Sequence, residues 1–309
     1  MTYSINDTSD YHINGMDTLG WELTVCNALE SRNSPLVNIL ARDATLGIHL
    51  YDFLQTRIDP GSVCRVLETG GGYGFVMRDF LVKNPGLQSV MLDISPWLLE
   101  QQKKTLSGKN VNFIEKDFFQ CDPGFFRDFD MVLLNEVAGD FPAVTGLSSS
   151  LLTKDTQDPV INRIRELCLK YDLPVHGQGE FTFNLGAIEA VERLCTAGIK
   201  YIYLSEHSCE GSPGGSYSDI VRVSFPGVPE KIQLRGHYEY TLKFSSLKRI
   251  AEKLGYSVIR GNYTDIIPLQ DSPRIRFILT SNTQNDEHEI IRHFVEDLYK
   301  YEYLFMIRD

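Results

Sequence analysis

The sequence lacks the features that define three classes of protein. Its 30 Lys and Arg residues face 41 Asp and Glu, a net charge of −11, which argues against a general nucleic-acid binder because such proteins need cations to neutralise phosphates. No apolar run approaches the length that crosses a bilayer, so we expect no membrane partner. The polar opening has neither the basic nor the apolar region of a signal peptide, and the six cysteines have no short repeated spacing. We therefore expect a cytoplasmic protein with reduced thiols.

The chain is apolar enough to bury a large core. Of its 309 residues, 42% are hydrophobic and 11% aromatic, which fits one large domain or two small ones. From residue 63 onwards, apolar runs alternate with amphipathic segments, as is typical of an α/β fold with a mostly parallel sheet and helices on both faces. The predicted units are an N-terminal helical cap (residues 1–60), an α/β domain (61–285) with an insertion after its fourth strand (about 140–182), and a C-terminal helix (286–309).

Local patterns add expectations outside the parallel sheet. Three helices are predicted within the first 60 residues, at about 17–29, 35–40 and 46–54, where they would cover the sheet edge or the ligand cleft. The small residues that follow Glu136 show no clean periodicity and predict a loop, which acts as a lid in our interpretation because it exceeds an ordinary connection. Apolar residues at 220–225 and 274–279 predict two further strands.

A glycine-rich turn follows the first predicted strand, residues 63–67. Gly70, Gly71, Gly72 and Gly74 let the backbone approach a ligand that a Cβ would exclude, and the helix that follows offers unpaired N–H groups at its start. A dinucleotide fingerprint would need a third glycine at the position after Gly74, which a phenylalanine occupies. The turn therefore predicts a different nucleotide-containing ligand, and an ordinary glycine-rich turn is the alternative.

Acidic residues stand at the ends of successive predicted strands. Glu68 precedes the glycine turn, and its negative charge suits a cationic or amine-bearing ligand. Asp93 lies 19 residues after Gly74, the spacing at which a carboxylate binds the two hydroxyls of a ribose. Asp117 follows the third strand and can accept an adenine amino hydrogen. Each could instead be a solvated loop carboxylate, but ligands of open α/β sheets bind at this edge.

The pattern Glu68-x-Gly70-x-Gly72-x-Gly74 resembles that of Rossmann-like methyltransferases, which use S-adenosyl-L-methionine. Four further stretches are similar to the MidA-type family, which includes a mitochondrial arginine methyltransferase: LDISPWLLEQQKKTL, NEVAGDFP, NLGAIEAVERLCTAGIKYIYLSEHS and YEYTLKFSSLKRIAEKLGYSV. The resemblance covers about residues 35–260. It implies a Rossmann-like methyltransferase sheet and a methyl donor bound by Glu68, Gly70, Gly72, Asp93 and Asp117. The family usually has an acid at the place of Gly139, whereas here the acid comes one residue later, at Asp140.

Residues for the chemistry follow from these positions. Glu136 can hold a guanidinium by a bidentate pair and steer its nitrogen, Asn135 can donate to or accept from the same group, and His207 is a candidate general base or a structural histidine. His207 and Cys209 are too few ligands for a zinc site, so we predict no metal. The full predicted cofactor-binding set is Glu68, Gly70, Gly72, Gly74, Asp93, Ile94, Asp117, Phe118 and Asn135.

The predicted activity is methyl transfer from S-adenosyl-L-methionine to an acceptor that the sequence leaves open. The acceptor is a protein side chain, arginine by resemblance, or a small metabolite. A non-catalytic domain that binds the donor or its product and acts through a partner protein is the alternative. A homodimer stays open as the oligomeric state.

Overall fold

The computed structural model describes residues 3–18, 24–31, 34–174, 179–212, 214–281 and 285–308. Its strands are β1 (Ser4–Asn6), β2 (Arg65–Thr69), β3 (Gln88–Asp93), β4 (Val111–Glu115), β5 (Met131–Asn135), β6 (Ala143–Ser148), β7 (Glu180–Phe183), β8 (Tyr201–His207), β9 (Lys231–Gln233), β10 (Tyr238–Tyr240), β11 (Tyr256–Asn262) and β12 (Tyr301–Arg308). Its α-helices are α1 (Val25–Ala28), α2 (Leu46–Gln55), α3 (Phe75–Lys83), α4 (Pro96–Thr105), α5 (Pro123–Phe126), α6 (Ser149–Thr153), α7 (Pro159–Tyr171), α8 (Leu185–Ala197), α9 (Phe244–Lys253), α10 (Pro273–Thr280) and α11 (Asp286–Lys300). Among these residues, no helix has both the length and the apolarity that a membrane crossing requires.

Seven strands form the central sheet, in the order β4-β3-β2-β5-β8-β12-β11. The strands from β4 to β8 pair in parallel, whereas β12 is antiparallel to both of its neighbours. Leu304 of β12 lies opposite Leu204 of β8, and Met306 lies opposite Val258 of β11. The predicted fold class, a mostly parallel Rossmann-like sheet, is confirmed.

Helices cover both faces of this sheet, as its apolar strands require. Val66 and Leu67, adjacent residues of β2, are both fully buried but belong to different apolar clusters. Val66 shares its cluster with Leu50 of α2 and with residues of α3 and α11, while Leu67 shares its cluster with Leu247 of α9 and with residues of α8. Because successive strand residues point to opposite faces, one strand supplies two cores.

The segment after β5 is not the loop that its composition predicts. Residues 143–153 form β6 and α6, and β6 is the middle strand of a small antiparallel sheet, β1-β6-β7. Ile5 of β1 pairs with Val144 of β6, and Val144 pairs with Phe183 of β7. Local patterns did not predict β6, because its partner strands β1 and β7 lie far from it in the sequence.

Two segments predicted as strands are not strands in the described structure, and β12 of the central sheet was not predicted. Residues 220–225 contain no strand, and residues 274–279 lie inside helix α10, where the side chain of Ser272 caps the start by accepting the N–H of Ile275 at 3.2 Å. The C-terminal helix ends at Lys300, and β12 follows it at once. Ile275 and Ile278 are buried three residues apart, so a helical stripe was mistaken for a strand.

The N-terminal helices were predicted with mixed success. Helix α2 confirms the third of them, but residues 37–39 form only a 3-10 turn. The first was expected to start at Asp17 and to include Trp21 and Leu23. These last two lie outside the described residues, and α1 begins after Thr24, whose hydroxyl accepts the N–H of Asn27 at 3.2 Å.

Candidate functional site

A cavity of about 270 Å³ lies at the carboxyl ends of β2, β3, β4 and β5. Glu68 is the second-last residue of β2, Asp93 ends β3, and Asp117 and Glu136 follow β4 and β5. All four line the cavity, so the sheet edge that the sequence predicted does bring these acids together. Nine of the predicted residues line it: Glu68, Gly70, Gly72, Asp93, Ile94, Asp117, Phe118, Asn135 and Glu136.

The glycine turn brings backbone rather than side chains to the cavity wall. Gly70 and Gly72 have φ values of 62° and 52°, a region that favours glycine. A Cβ on Gly71 would lie 2.9 Å from Cδ of Glu68, so the turn has no room for a side chain there. Gly74 has a φ of 81° at the start of α3 and lies beside Leu106, not among the residues that line the cavity. Gly74 therefore shapes the turn and the start of α3 and does not contribute to the cavity wall.

Glu68 is a buried carboxyl group at the floor of this turn, with 1% of its surface exposed. The backbone N–H of Met77, in the first turn of α3, donates to it, while Oε2 has no hydrogen-bond partner among the described residues. Burial, together with the charges of Asp93 and Asp79, raises the pKa of Glu68 to about 8 against the opposing hydrogen bond from Met77. Its unpartnered oxygen is open to a ligand, and a bound cation would favour the ionised form of this carboxyl group.

The pKa of Glu68 predicts a dependence of stability on pH. Its ordinary value of about 4.5 applies to the unfolded chain, so between about 4.5 and 8 the folded chain holds a proton that the unfolded chain has lost. The free energy of unfolding should therefore fall as pH rises through this window, and it should fall less steeply in Glu68→Gln. Urea denaturation of both proteins at pH 5, 6, 7 and 8 measures the two slopes. Equal slopes would show that Glu68 is ionised when buried.

Asp93 is tied to the glycine turn by one glutamine of α4. The side-chain amide of Gln102, itself fully buried, donates to Oδ2 of Asp93 at 2.8 Å and to the carbonyl oxygen of Gly72 at 3.1 Å. The N–H of Ser95 donates to Oδ1 of Asp93 at 2.9 Å. Burial raises the pKa of Asp93 to about 6 against these hydrogen bonds. Sequence reasoning missed Gln102, because a single amide on a helix carries no motif.

Asn135 and Glu136 form a connected pair at the end of β5. The amide of Asn135 donates to Oε1 of Glu136 at 3.3 Å, and its carbonyl oxygen accepts the hydroxyls of Ser205 and Tyr263, each at 3.1 Å. Asn135 thus positions Glu136, and because it also lines the cavity, its contact with a ligand stays a prediction. Glu136 has a φ of 54°, and a non-glycine residue in this region is strained by about 1–3 kcal/mol, as is common at functional sites.

The carboxylate of Glu136 already has several donors. The N–H of Val25 donates to Oε2 at 3.1 Å, and the N–H of Cys26 and the hydroxyl of Tyr301 also donate to the carboxylate. Burial raises the pKa of Glu136 to about 7 against these bonds. Glu136 therefore links the start of α1, in the N-terminal segment, to the sheet.

The N-terminal segment forms a wall of the cavity, and the ligand cleft was one of the two positions expected for the N-terminal helices. Residues of this segment that line the cavity are Asp7, Thr8, Ser9, His12, Met16, Thr24, Cys26 and Asn27. The side-chain amide of Asn6 donates to the backbone carbonyl oxygen of Tyr238 at 2.9 Å. The hydroxyl of Thr8 donates to the backbone carbonyl oxygen of Asp140, also at 2.9 Å. The partners of Asn6 and Thr8 are more than a hundred residues away in sequence, so local patterns did not predict these contacts.

His207 lies outside the cavity lining, next to the buried carboxyl group of Glu206 and the half-buried one of Glu239. Its Nδ1 is 3.7 Å from Oε1 of Glu206 and 3.9 Å from Oε1 of Glu239, and its ring lies 3.9 Å from that of Tyr301. Burial, with a smaller effect of the Lys300 charge, lowers the pKa of His207 to about 3. Such an imidazole is a weak base, so its surroundings favour the structural role over the predicted base role.

The comparisons with known proteins show similarity of fold and nothing finer. No protein-family model and no curated sequence matches the chain. A solved structure of an uncharacterised protein from Burkholderia thailandensis is 11% identical over 97% of this chain and 86% of that one, with a TM-score of 0.55. The plantazolicin methyltransferase BpumL in complex with SAH is 12% identical over 91% of this chain and 87% of that one, with a TM-score of 0.47. The mitomycin 7-O-methyltransferase MmcR is 14% identical over 86% of this chain and 55% of that one, with a TM-score of 0.41.

Proposed function

We propose that this protein binds S-adenosyl-L-methionine in the cavity at the carboxyl ends of β2 to β5 and transfers its methyl group. One observation carries the proposal: Glu68, the glycine turn, Asp93 and Asp117 meet in a single cavity. These are the residues that an adenosine-containing cation needs, namely acids for the hydroxyls, the amino group and the positive charge, and open backbone beside them.

The charge of the cavity supports a cationic ligand. Among the lining residues that the structure describes, six carboxyl groups face one lysine, Lys116. The six are Asp7, Glu68, Asp93, Asp117, Glu136 and Asp140. A positive donor or acceptor gains from this field, whereas a pyrophosphate would be repelled by it.

The residues present fit the donor without further groups. Asp93 would hold the ribose hydroxyls, Asp117 and Phe118 the adenine, and Glu68 with the backbone of Gly70 to Gly72 the charged end. When bound, the donor supplies a methyl group already activated on a sulfonium. The chain then has to align an acceptor and exclude water, as the N-terminal wall does on one side of the cavity.

Isothermal titration with S-adenosyl-L-methionine and with S-adenosylhomocysteine tests the binding. Wild type should bind both, and Glu68→Ala should bind the donor at least about 10-fold more weakly, because a charge-assisted contact contributes about 1.5–3 kcal/mol. Glu289→Ala, at an exposed position of α11, is the control for a lost carboxylate. Lack of binding by wild type, or equal binding by Glu68→Ala, would overturn the cofactor assignment.

Glu136 is the residue that we assign to a cationic acceptor. The resemblance to MidA-type methyltransferases favours an arginine side chain, which a carboxylate holds by two parallel hydrogen bonds. We expect Glu136→Gln to lower methyl transfer from labelled donor into cell extract by at least about 10-fold, since the charged hydrogen bonds are lost. Donor affinity should change little. Unchanged turnover would remove the acceptor role of Glu136, and recovery of label in small molecules would identify a metabolite as acceptor.

A non-catalytic binding domain is the second candidate. It is favoured by the donors already engaged with Glu136, two of which come from the N-terminal segment that walls the cavity. In that case the protein binds donor or product and signals through a partner. A protein that binds donor tightly but transfers no label, in extract or alone, would establish this alternative.

A further inference from the structure

Three ligand-type side chains from distant parts of the chain meet at the N-terminal wall of the cavity. His12 lies in a single π-helical turn (Tyr11–Gly15), Asp140 in the segment between β5 and β6, and His237 in the turn between β9 and β10. The Nε2 atom of His12 is 3.2 Å from Oδ1 of Asp140, and Nε2 of His237 is 3.3 Å from the same oxygen. All three atoms lie within 4.8 Å of one another.

The two distances to Asp140 match those between ligands of a shared metal ion. In a tetrahedral site with ligands about 2.0–2.2 Å from zinc, neighbouring ligand atoms are about 3.3 Å apart. Moreover, Nε2 of His12 and Oδ1 of Asp140 are buried and have no hydrogen-bond partner among the described residues. The contacts are therefore close enough for hydrogen bonds but not aligned as hydrogen bonds, which is expected when lone pairs converge on a point between the atoms.

The surroundings leave the right atoms available for a metal. Nδ1 of His237 lies 3.4 Å from the carbonyl oxygen of Arg235, so a proton on Nδ1 leaves Nε2 with a free lone pair, the arrangement found behind metal-bound histidines. The ring of Tyr11 stacks on that of His237 at 4.2 Å and fixes its plane.

We propose that His12, Asp140 and His237 form a binding site for a first-row divalent metal ion such as Zn²⁺. Two imidazoles and one carboxylate suit zinc, iron or nickel rather than magnesium or calcium. Three protein ligands leave a fourth position for water or a ligand atom, and His12 and Asp140 place that position at the wall of the donor cavity. The ion would join the N-terminal segment, the segment after β5 and the β9–β10 turn. This metal site is proposed whether or not the protein transfers methyl groups.

A second cluster, formed by Glu206, His207 and Glu239, is the poorer candidate. Oε2 of Glu206 accepts the N–H of Gly139 at 3.0 Å, and Oε1 accepts the N–H of His207 at 2.9 Å. This cluster has one imidazole, and the carboxyl group of Glu206 is already held by backbone donors. A substitution in this second cluster therefore serves as a control, because it should leave metal binding unchanged.

Titration of the chelator-treated protein with Zn²⁺ and Co²⁺ tests the site. We expect wild type to bind about one Zn²⁺ per chain, tighter than about 1 μM, and bound Co²⁺ to show the visible absorption of a four-coordinate ion. His12→Gln and His237→Gln should each weaken Zn²⁺ binding at least about 100-fold, more than loss of an outer partner costs. His293→Gln, at an exposed position of α11, and His207→Gln should bind as wild type does.

Thermal unfolding keeps the test independent of a folding defect. Zn²⁺ should raise the Tm of wild type and of His293→Gln but not that of His237→Gln, which should have the Tm of metal-free wild type. The proposal fails if wild type shows no saturable Zn²⁺ site. It also fails if His12→Gln and His237→Gln bind Zn²⁺ as tightly as wild type, or if His207→Gln alone abolishes binding.

Discussion

Arg260→Met should lower the free energy of unfolding by about 3–5 kcal/mol, because it leaves the buried charge of Glu302 without its cation. Glu302, on β12, is fully buried. The guanidinium of Arg260, on β11, donates through Nε to Oε1 of Glu302 at 3.0 Å and through a terminal nitrogen to Oε2 at 2.7 Å. Ser208 and Ser212 also donate to this carboxylate, but hydroxyls do not neutralise its charge.

Urea denaturation gives the measurement, and two variants give its controls. Arg274→Met breaks an exposed pair in which the guanidinium is 2.6 Å from Glu287, and it should cost less than about 1 kcal/mol. Arg260→Met combined with Glu302→Leu should recover much of the lost stability, since replacing both charges by apolar groups is often neutral. A single variant as stable as wild type would mean that Glu302 does not need the ion pair.

Asp93→Ala should weaken binding of S-adenosyl-L-methionine by about 100-fold. In the proposed complex this carboxylate accepts two ribose hydroxyls, and hydrogen bonds to a charged group are worth about 1.5–3 kcal/mol each. The side chain also accepts from Ser95 and Gln102, so its loss releases Gln102 from the glycine turn as well. Isothermal titration measures the affinity.

Asp122→Ala is the matched control for this change. Asp122 accepts the N–H of Gly124, two residues ahead, at 2.7 Å, just as Asp93 accepts that of Ser95, but it does not line the cavity. Its replacement should leave donor affinity unaltered while removing the same kind of turn. If the two variants bind donor equally well, the ribose role of Asp93 is wrong.

The sequence predicted the part of the site that local patterns encode. The strand, glycine turn and helix around Glu68 are contiguous, and acids at the ends of parallel strands come together whatever lies between them. Glu68, Asp93, Asp117 and Glu136 therefore line one cavity, as expected. Their roles toward a ligand stay predictions.

Residues that depend on distant partners escaped prediction. His12 lies in a polar stretch with no apolar period, and its neighbours Asp140 and His237 are 128 and 225 residues away in sequence. No metal site was predicted because spacing rules detect ligands that are close in sequence. The helix at residues 274–279 was missed because its β-branched residues suggested a strand. Ser272 and Pro273, a helix cap followed by proline in the first turn, are the signal that could have identified it.

The position of β12 has a consequence for how the chain folds. During synthesis, β8 and β11 emerge before the strand that lies between them, so neither can complete its hydrogen bonds on that side. Until residues 301–308 arrive, the sides of β8 and β11 that pair with β12 stay open, and such edges recruit other chains. A ribosome-bound or truncated chain that stops within α11 therefore exposes an aggregation-prone surface, which β12 closes once it is made.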